Sequence, residues 1–496
     1  MKKSNHDFDF SAPHRQSAVA ILMIIWKTYR ILVRQAWPIL LILFFKGNTG
    51  KTNYLLVGIV LFSVLGMVFS LINYFRFYFY IEKDELIINS GVLNRKNLNV
   101  PFDRIQTINF EQNIAHRIFN VVRLKIDTAG SSKSEFNFHA IDIKKADALR
   151  NLILSKRKAT PNKIVTIRPK KIIKDFDPIM KLEFPNLIKA GAVENHLKSG
   201  GLIIAFMFWI WQSLDDIDMF DPIEKNLEAQ LNGGLAIAAI LVFTFLVLSF
   251  LISMAKMIIT NFDLKFLRSD NGFKVQTGLF TKKDISALDH KIQMISWSDN
   301  LLKKIVGIKD LTLKQASSVA GNKKTSIKIP GCSDRHIDQV KYSLYGYQSF
   351  DDIMYHKIEK KYLYRNGGIL LLAISTFIVL AIYLQLENAA VLGAFGGFFF
   401  LFTFYLSFKK KKYGFNDEML VIRGGTYGDK TIMMPIYKIQ SISKQQSPYQ
   451  KRNNLADLVF YTASGRVGIP YILNDTATAI MDSFLYKIEM DKRKWM

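Results

Sequence analysis

The sequence predicts an α+β membrane protein with about six transmembrane helices in three hairpin pairs, each pair followed by a small β-rich domain that closes with a helix. Three observations predict it. The chain of 496 residues is 49% hydrophobic yet carries a formal charge of +26, so apolar and basic material must be segregated along it. Its apolar runs come in three pairs, and after each pair the same order of turn, polar and apolar positions returns.

The runs are Ile31 to Phe45 and Tyr54 to Phe75, Gly200 to Leu214 and Gly233 to Met257, and Gly368 to Leu386 and Ala389 to Phe408. Crossing a hydrocarbon core takes about twenty apolar residues, and several runs reach that length. The two short ones, 31–45 and 200–214, follow mixed apolar and basic stretches, Ser17 to Arg34 and Leu187 to Lys198, which either lengthen the span or lie in the interface. Lys27, Arg30 and Arg34 near one helical face, with Trp26 and Trp37, suit interfacial anchoring.

Charge sets the orientation. Arg76, Lys256 and Lys409 to Lys412 flank spans, whereas Asp215, Asp216, Asp218, Asp221, Glu224 and Glu228 make one connection acidic. By the positive-inside tendency the large segments and both termini are expected in the cytoplasm of a bacterial cell, with the chain multi-pass in its inner membrane. Residues 46–53 and the vicinity of Glu387 and Asn388 are too short to hold an outside domain, and the start, with Asp7, Asp9 and Pro13, does not resemble a signal peptide. The expected organisation is 1–75 N-terminal segment and transmembrane pair 1, 76–180 domain 1, 181–257 pair 2, 258–350 domain 2, 351–408 pair 3, and 409–496 domain 3.

The repeat reads DELIINSGVLNRKNLNVPFDRIQTI from Asp84, DNGFKVQTGLFTKKDISALDHKIQMI from Asp270, and DEMLVIRGGTYGDKTIMMPIYKIQSI from Asp417. In each copy a turn glycine, Gly91, Gly278 or Gly425, stands fifteen residues before a glutamine, Gln106, Gln293 or Gln440, that follows a basic residue and Ile. Downstream, Arg117, Lys304 and Lys451 each precede by seven residues a leucine, Leu124, Leu311 or Leu458, opening an alternating strand. Turns at 130–132, 321–322 and 464–465 lead into partner strands near Phe136, Ile327 and Val467. A helix then closes each copy, with Asp142, Ser333 and Asn474 as N-cap candidates; in the first, Ile143, Ala146, Leu149, Leu152 and Ile153 form one apolar stripe.

Short strands followed by one C-terminal helix are the order of a pleckstrin-homology-type barrel. The thrice-repeated arrangement of an apolar pair, D-E-L-x-x-x-x-G and R-I-Q-T-I resembles the bacterial membrane-flanked pleckstrin-homology-like (PH) domain family, in its long form with three PH-like domains. It covers essentially the whole chain and is clearest in the first copy. The second departs from it, with Leu288 where Pro101 and Pro435 stand and Lys291-Ile292-Gln293 as the basic element. The resemblance implies a fold and a membrane location but no settled activity.

No catalytic residue is identified: phosphate-binding loop, G-x-S-x-G and H-E-x-x-H motifs are missing, and the eight histidines show no ligand spacing. The expectation is a protein that is not an enzyme, with no cofactor and no metal. One cysteine, Cys332, excludes an intramolecular disulfide and reads as a buried small residue. The candidate ligand or partner surface is the recurring polar set Arg104, Gln106, Lys291, Gln293, Lys438 and Gln440. Basic residues near an anionic leaflet attract headgroups or acidic proteins; the competing reading is that a glutamine recurring at one place in a barrel satisfies neighbouring backbone. Expected partners are anionic phospholipid headgroups or envelope proteins, and a smaller single-domain relative; membrane topology accounts for much of the charge, and nucleic acid is not expected. A scaffold or sensor in the cell envelope is the favoured function. The alternative is a lipid or small-molecule transporter regulated by the domains, which the uncharged cores of 236–251 and 369–383 weaken.

Overall fold

The computed structural model describes residues 8–26, 28–30, 50–91, 95–102, 105–128, 135–157, 177–194, 234–316, 326–346, 353–491 and 493. Outside them lie the runs 31–45 and 200–214, the acidic connection 215–228, Lys27, Arg34, Trp37, Arg104, and the turns at 130–132 and 321–322. The chain divides into two compact units, residues 1–175 with 280–286, and residues 176–279 with 287–496.

In the first unit, β1 (Tyr78–Glu82), β2 (Glu85–Ser90) and β3 (Lys96–Pro101) form an antiparallel sheet. Lys83 and Asp84 both take positive φ, 46° and 65°, making the two-residue turn whose twist matches the strands it joins. β4 (Ile105–Gln112), β5 (Val121–Thr128) and β6 (Glu135–Asp142) form a second antiparallel meander. Alternation along β5 works as the sequence requires: Val122, Leu124 and Ile126 are buried, while Arg123 and Lys125 turn outward to Glu111, Lys125 at 2.6 Å. Helix Ile143–Arg157 lays Ala146, Leu149 and Ile153 onto a core of Phe79, Leu86, Ile88, Leu124, Ile126 and Phe138. Asp142 caps its first turn by accepting from the Lys144 N–H at 2.9 Å.

The second unit holds two further copies of this plan. β7 (Asp177–Lys181), β8 (Lys265–Ser269) and β9 (Gly272–Thr277) lie side by side. The fourth strand of this repeat, β10 (Lys282–Leu288), has Lys282 to Ser286 in the first unit. β11 (Ile292–Ser298), β12 (Lys309–Gln315) and β13 (Ser326–Cys332) form the second meander, closed by helix Asp334–Tyr345, whose N-cap is Ser333 in a capping box with His336. The third repeat has β14 (Met354–Lys357), β15 (Lys412–Phe415), β16 (Met419–Gly424) and β17 (Lys430–Pro435), then β18 (Ser441–Gln445), β19 (Leu455–Thr462) and β20 (Gly465–Leu473). Its closing helix, Asn474–Met490, begins one residue earlier than an Asn474 cap requires: Asn474 is the first helical residue and Leu473 the cap position. The repeat glycines Gly91, Gly278 and Gly425 take φ of 100°, 110° and 119°, which glycine alone adopts without strain.

Among the described residues three helices are long and apolar enough to cross a membrane: Phe243–Asn261 within the longer Gly234–Asn261, then Lys361–Tyr383 and Glu387–Lys410. Helix Gly50–Phe75 adds a shorter apolar stretch, Leu61–Phe75. Lys361–Tyr383 and Glu387–Lys410 form a hairpin in which a Cβ on Gly393 or Gly397 would run into Phe377 or Ile374, so these two glycines are where the helices touch.

One feature of the topology is not visible in the repeat pattern. β14 lies before its apolar hairpin in sequence and β15 after it, yet they pair, Lys357 opposite Lys412. β7 and β8 likewise pair across 182–264, and in the first unit His14 bridges Phe79 across 15–78. The second and third apolar segments are therefore insertions between the first two strands of their own β domains, and the first lies between His14 and the strand it bridges. The boundary expected between 180 and 181 falls inside β7, and the one between 350 and 351 lies just ahead of β14.

Candidate functional site

The recurring polar positions turn out to sit where the sheets bend. In β4 the pairing with β5 shifts between Ile105 and Thr107, and in β11 the pairing with β12 shifts between Ile292 and Met294, so Gln106 and Gln293 occupy equivalent bulges. Gln440 directly precedes β18, its N–H donating to the Tyr461 carbonyl at 2.8 Å. In the first two copies a bulge there re-aims the strand that begins the second meander. In all three copies the glutamine stands at the start of the second meander, at a bulge in the first two and just ahead of the strand in the third.

The side chains do not form one exposed surface. Lys291 and Lys438 are 3% and 2% exposed, and Gln293 is fully enclosed, whereas Gln440 is exposed. Two of the basic residues expected to meet headgroups are thus turned inward, because both lie in short helical turns, Asp289–Lys291 and Ile436–Lys438, packed beneath the sheet. Lys438 Nζ donates to the carbonyls of Asp289, His290 and Ile292, with 2.9 Å to His290. Burial pushes its pKa down to about 8, against the opposing pull of Asp289.

Lys438 belongs to the third repeat and its three acceptors to the second. They meet at a seam in which β11 pairs antiparallel with β17, Ile295 opposite Met433 and Ser298 opposite Lys430, so that β13-β12-β11-β17-β16-β15-β14 is one seven-stranded sheet. At one end of the seam the Asp299 N–H donates to the Asp429 carbonyl at 3.0 Å, and the Asp429 N–H returns a bond to Asp299 Oδ1 at 2.6 Å. The Asp429 carboxylate is 2.9 Å from both Lys304 and Lys410, the latter on the last turn of a membrane-length helix. Burial would raise the Asp429 pKa, but the hydrogen bonds from Lys304 and Lys410 outweigh it and hold the carboxyl below its usual range. Gly428 fits against this corner because a Cβ there would strike the Asp299 carbonyl.

A second buried network anchors the strap preceding the second apolar segment. Lys303, 3% exposed, is 2.6 Å from Glu194 and 2.8 Å from Asp310, and Asn300 Nδ2 donates to the Val193 carbonyl at 2.8 Å. Asn300 also caps helix Leu301–Val306, as Asn113 caps Ile114–Ile118 and Ser447 caps Pro448–Arg452. The residue three places after each cap, His116, Lys303 and Gln450, is buried. That Asn/Ser-x-x-polar spacing is a sequence signal the glycine and glutamine pattern had overshadowed. Among the described residues no cluster of His, Cys, Asp and Glu is arranged to hold a metal ion.

The model for the bacterial PH domain matches residues 19–157, 223–348 and 368–487. Each region overlaps one repeat; the first and third take in both apolar runs of theirs, and the second takes in 233–257 but not 200–214. Among curated proteins, the UPF0699 transmembrane protein YdbT of Bacillus subtilis (strain 168) is 20% identical over 459 residues, covering 90% of this chain and 92% of the relative.

Proposed function

Because the chain belongs to the bacterial PH domain family, we propose that this membrane protein is a non-enzymatic, multi-pass scaffold or sensor of a bacterial inner membrane, carrying its three PH-like domains on the cytoplasmic side. The observation that carries the reading is the β11–β17 seam. Repeats fused through one sheet, with Lys438 and Asp429 sealing the joint, make a fixed tethered array rather than independently moving ligand-binding modules. The polar positions that recur are spent on bulges and joints, which supports an architectural role for them and leaves the exposed faces for partners.

The paired strands that flank each apolar segment support six spans in three hairpins. A chain that leaves β7 and returns beside it at β8 has crossed the membrane an even number of times. One span of that segment is Phe243–Asn261, so 182–233 would supply the other. Transport is the weaker reading, since the charges of Lys361–Tyr383 and Glu387–Lys410 are Lys361, Arg365, Glu387, Lys409 and Lys410, all within five residues of a helix end, and mark no intramembrane path.

Photocrosslinking in native membranes from the exposed positions Gln440 and Tyr486 tests the proposal. Repeated recovery of an envelope protein supports the scaffold, and recovery of anionic phospholipid alone supports the sensor. Movement of lipid or solute by the protein reconstituted in vesicles would replace both with the transporter.

A further inference from the structure

The two seams inside the chain follow one rule. In the first unit, Lys282, Lys283 and Asp284 of β10 pair antiparallel with Gln112, Glu111 and Phe110 of β4. In the second unit, Lys430 to Met433 of β17 pair antiparallel with Ser298 to Ile295 of β11. Each seam joins the strand that opens the second meander of one repeat to the fourth strand of the next. The register is also the same. Phe110 stands four residues after Gln106 and faces Asp284, nine before Gln293; Trp297 stands four after Gln293 and faces Thr431, nine before Gln440.

Applied to three repeats, the rule leaves two ends over. Among the described residues, β18, which opens the second meander of the third repeat, is the outer strand of β18-β19-β20, and β3, the first repeat's counterpart of β10 and β17, is the outer strand of β1-β2-β3. Their surfaces differ from those of their seam-forming counterparts. Met294, Ile295 and Ser296 of β11 are buried, while at the matching places in β18 Ser441 is exposed and Ile442 and Ser443 are half-buried. Thr431 and Met433 of β17 are buried, while their counterparts Asn97 and Asn99 of β3 are exposed. An outer strand with open N–H and C=O groups is a template for another strand.

We propose that β18 of one copy pairs antiparallel with β3 of a second copy of the same chain, continuing the register of the internal seams. Lys444 then faces Asn97, Ser443 faces Leu98, Ile442 faces Asn99 and Gln445 faces Lys96. The second copy is the occupant because every chain carries one edge of each kind, already matched in register by the rule that joins its own repeats. No like charges oppose each other in these four pairs, and Pro101, which lacks an N–H, lies beyond them just as Pro435 lies beyond Lys430 to Met433. Because the two edges are different surfaces, the contact is head-to-tail and builds a ring or an open run of chains. This goes beyond the scaffold reading, which holds for a single chain as well as for an assembly.

The test uses the full-length protein in native membranes, with two differently tagged forms made together, one carrying Asn97→Cys and the other Lys444→Cys. Both positions are exposed, and native Cys332 stays in place because burial pushes its thiol up to about 12, leaving it unreactive to maleimides. A short bis-maleimide should give a covalent dimer bearing both tags. Pairing Asn97→Cys with Ser483→Cys, on an exposed part of the closing helix, should lose that dimer. Failure of the first pair to link in protein whose melting matches the parent would overturn the proposal. So would a link formed inside one chain when both cysteines are placed on it, or a single-chain mass for the unmodified protein in native nanodiscs.

Discussion

Lys438 shows how one side chain can be recurrent in sequence yet unavailable to a ligand. Its ammonium is buried among three backbone carbonyls across a joint between repeats, so truncation leaves buried acceptors without their donor. Lys438→Met is expected to lower stability at neutral pH by about 1–3 kcal/mol, read as a reduced melting temperature in detergent. The pH dependence has a definite sign. The folded pKa of about 8 lies below the ordinary 10.5, so the cost of enclosing a cation is fully present below pH 8 and is relieved as pH rises toward 10.5. The parent should therefore gain stability relative to Lys438→Met across that interval; an unchanged difference would mean that the ammonium is not desolvated. Asp429 behaves in the opposite sense. Its carboxyl is held below the usual range by Lys304 and Lys410, so its contribution is present at neutral pH and is lost as pH falls through the folded value. Asp429→Asn should melt lower than the parent at pH 7, with the gap closing in acid.

At the scale of elements, the third apolar hairpin offers a comparison between adjacent glycines. Gly397 faces Ile374 with no room for a Cβ, whereas a Cβ on Gly396 meets nothing within 4 Å. Gly397→Val should force Lys361–Tyr383 and Glu387–Lys410 apart at a cost of about 1–3 kcal/mol, and Gly396→Val should be tolerated. Thermal unfolding of the two variants in one detergent checks this, and equal melting temperatures would refute the packing. Sequence alone does not tell which members of this glycine cluster touch, because helix facing depends on the partner helix. The same division runs through the fold. Gly91, Gly278 and Gly425, and Gln106 and Gln293, were legible because turns and bulges are local and impose residue type at fixed spacing. β7 and β14 were not, since they are short, lack alternation, and pair with strands lying beyond an entire apolar segment. The burial of Lys291 and Lys438 was equally invisible: a lysine before Ile-Gln reads as a surface cation until the short helical turn that carries it is seen to tuck under the sheet.

Over the whole molecule, the insertion of each apolar segment between two neighbouring strands constrains topology more tightly than charge counting does. Strands paired in one sheet lie on one side of the membrane, so His14 with Phe79, β7 with β8, and β14 with β15 each require an even number of crossings between them. For the third segment two helices of sufficient length and apolarity are described, Lys361–Tyr383 and Glu387–Lys410, joined near Leu386. Reporters placed after Asn48, Asp221 and Asn388 should therefore read out on the side opposite to reporters placed after Arg157 and Met496. A signal after Asp221 on the same side as Arg157 would leave Phe243–Asn261 as an unpaired crossing and would be incompatible with the β7–β8 pairing. An opposite-side signal at all three connections would fix the β domains on a common face, where the basic residues Lys409 to Lys412 at the end of the last span are expected to meet the cytoplasmic leaflet.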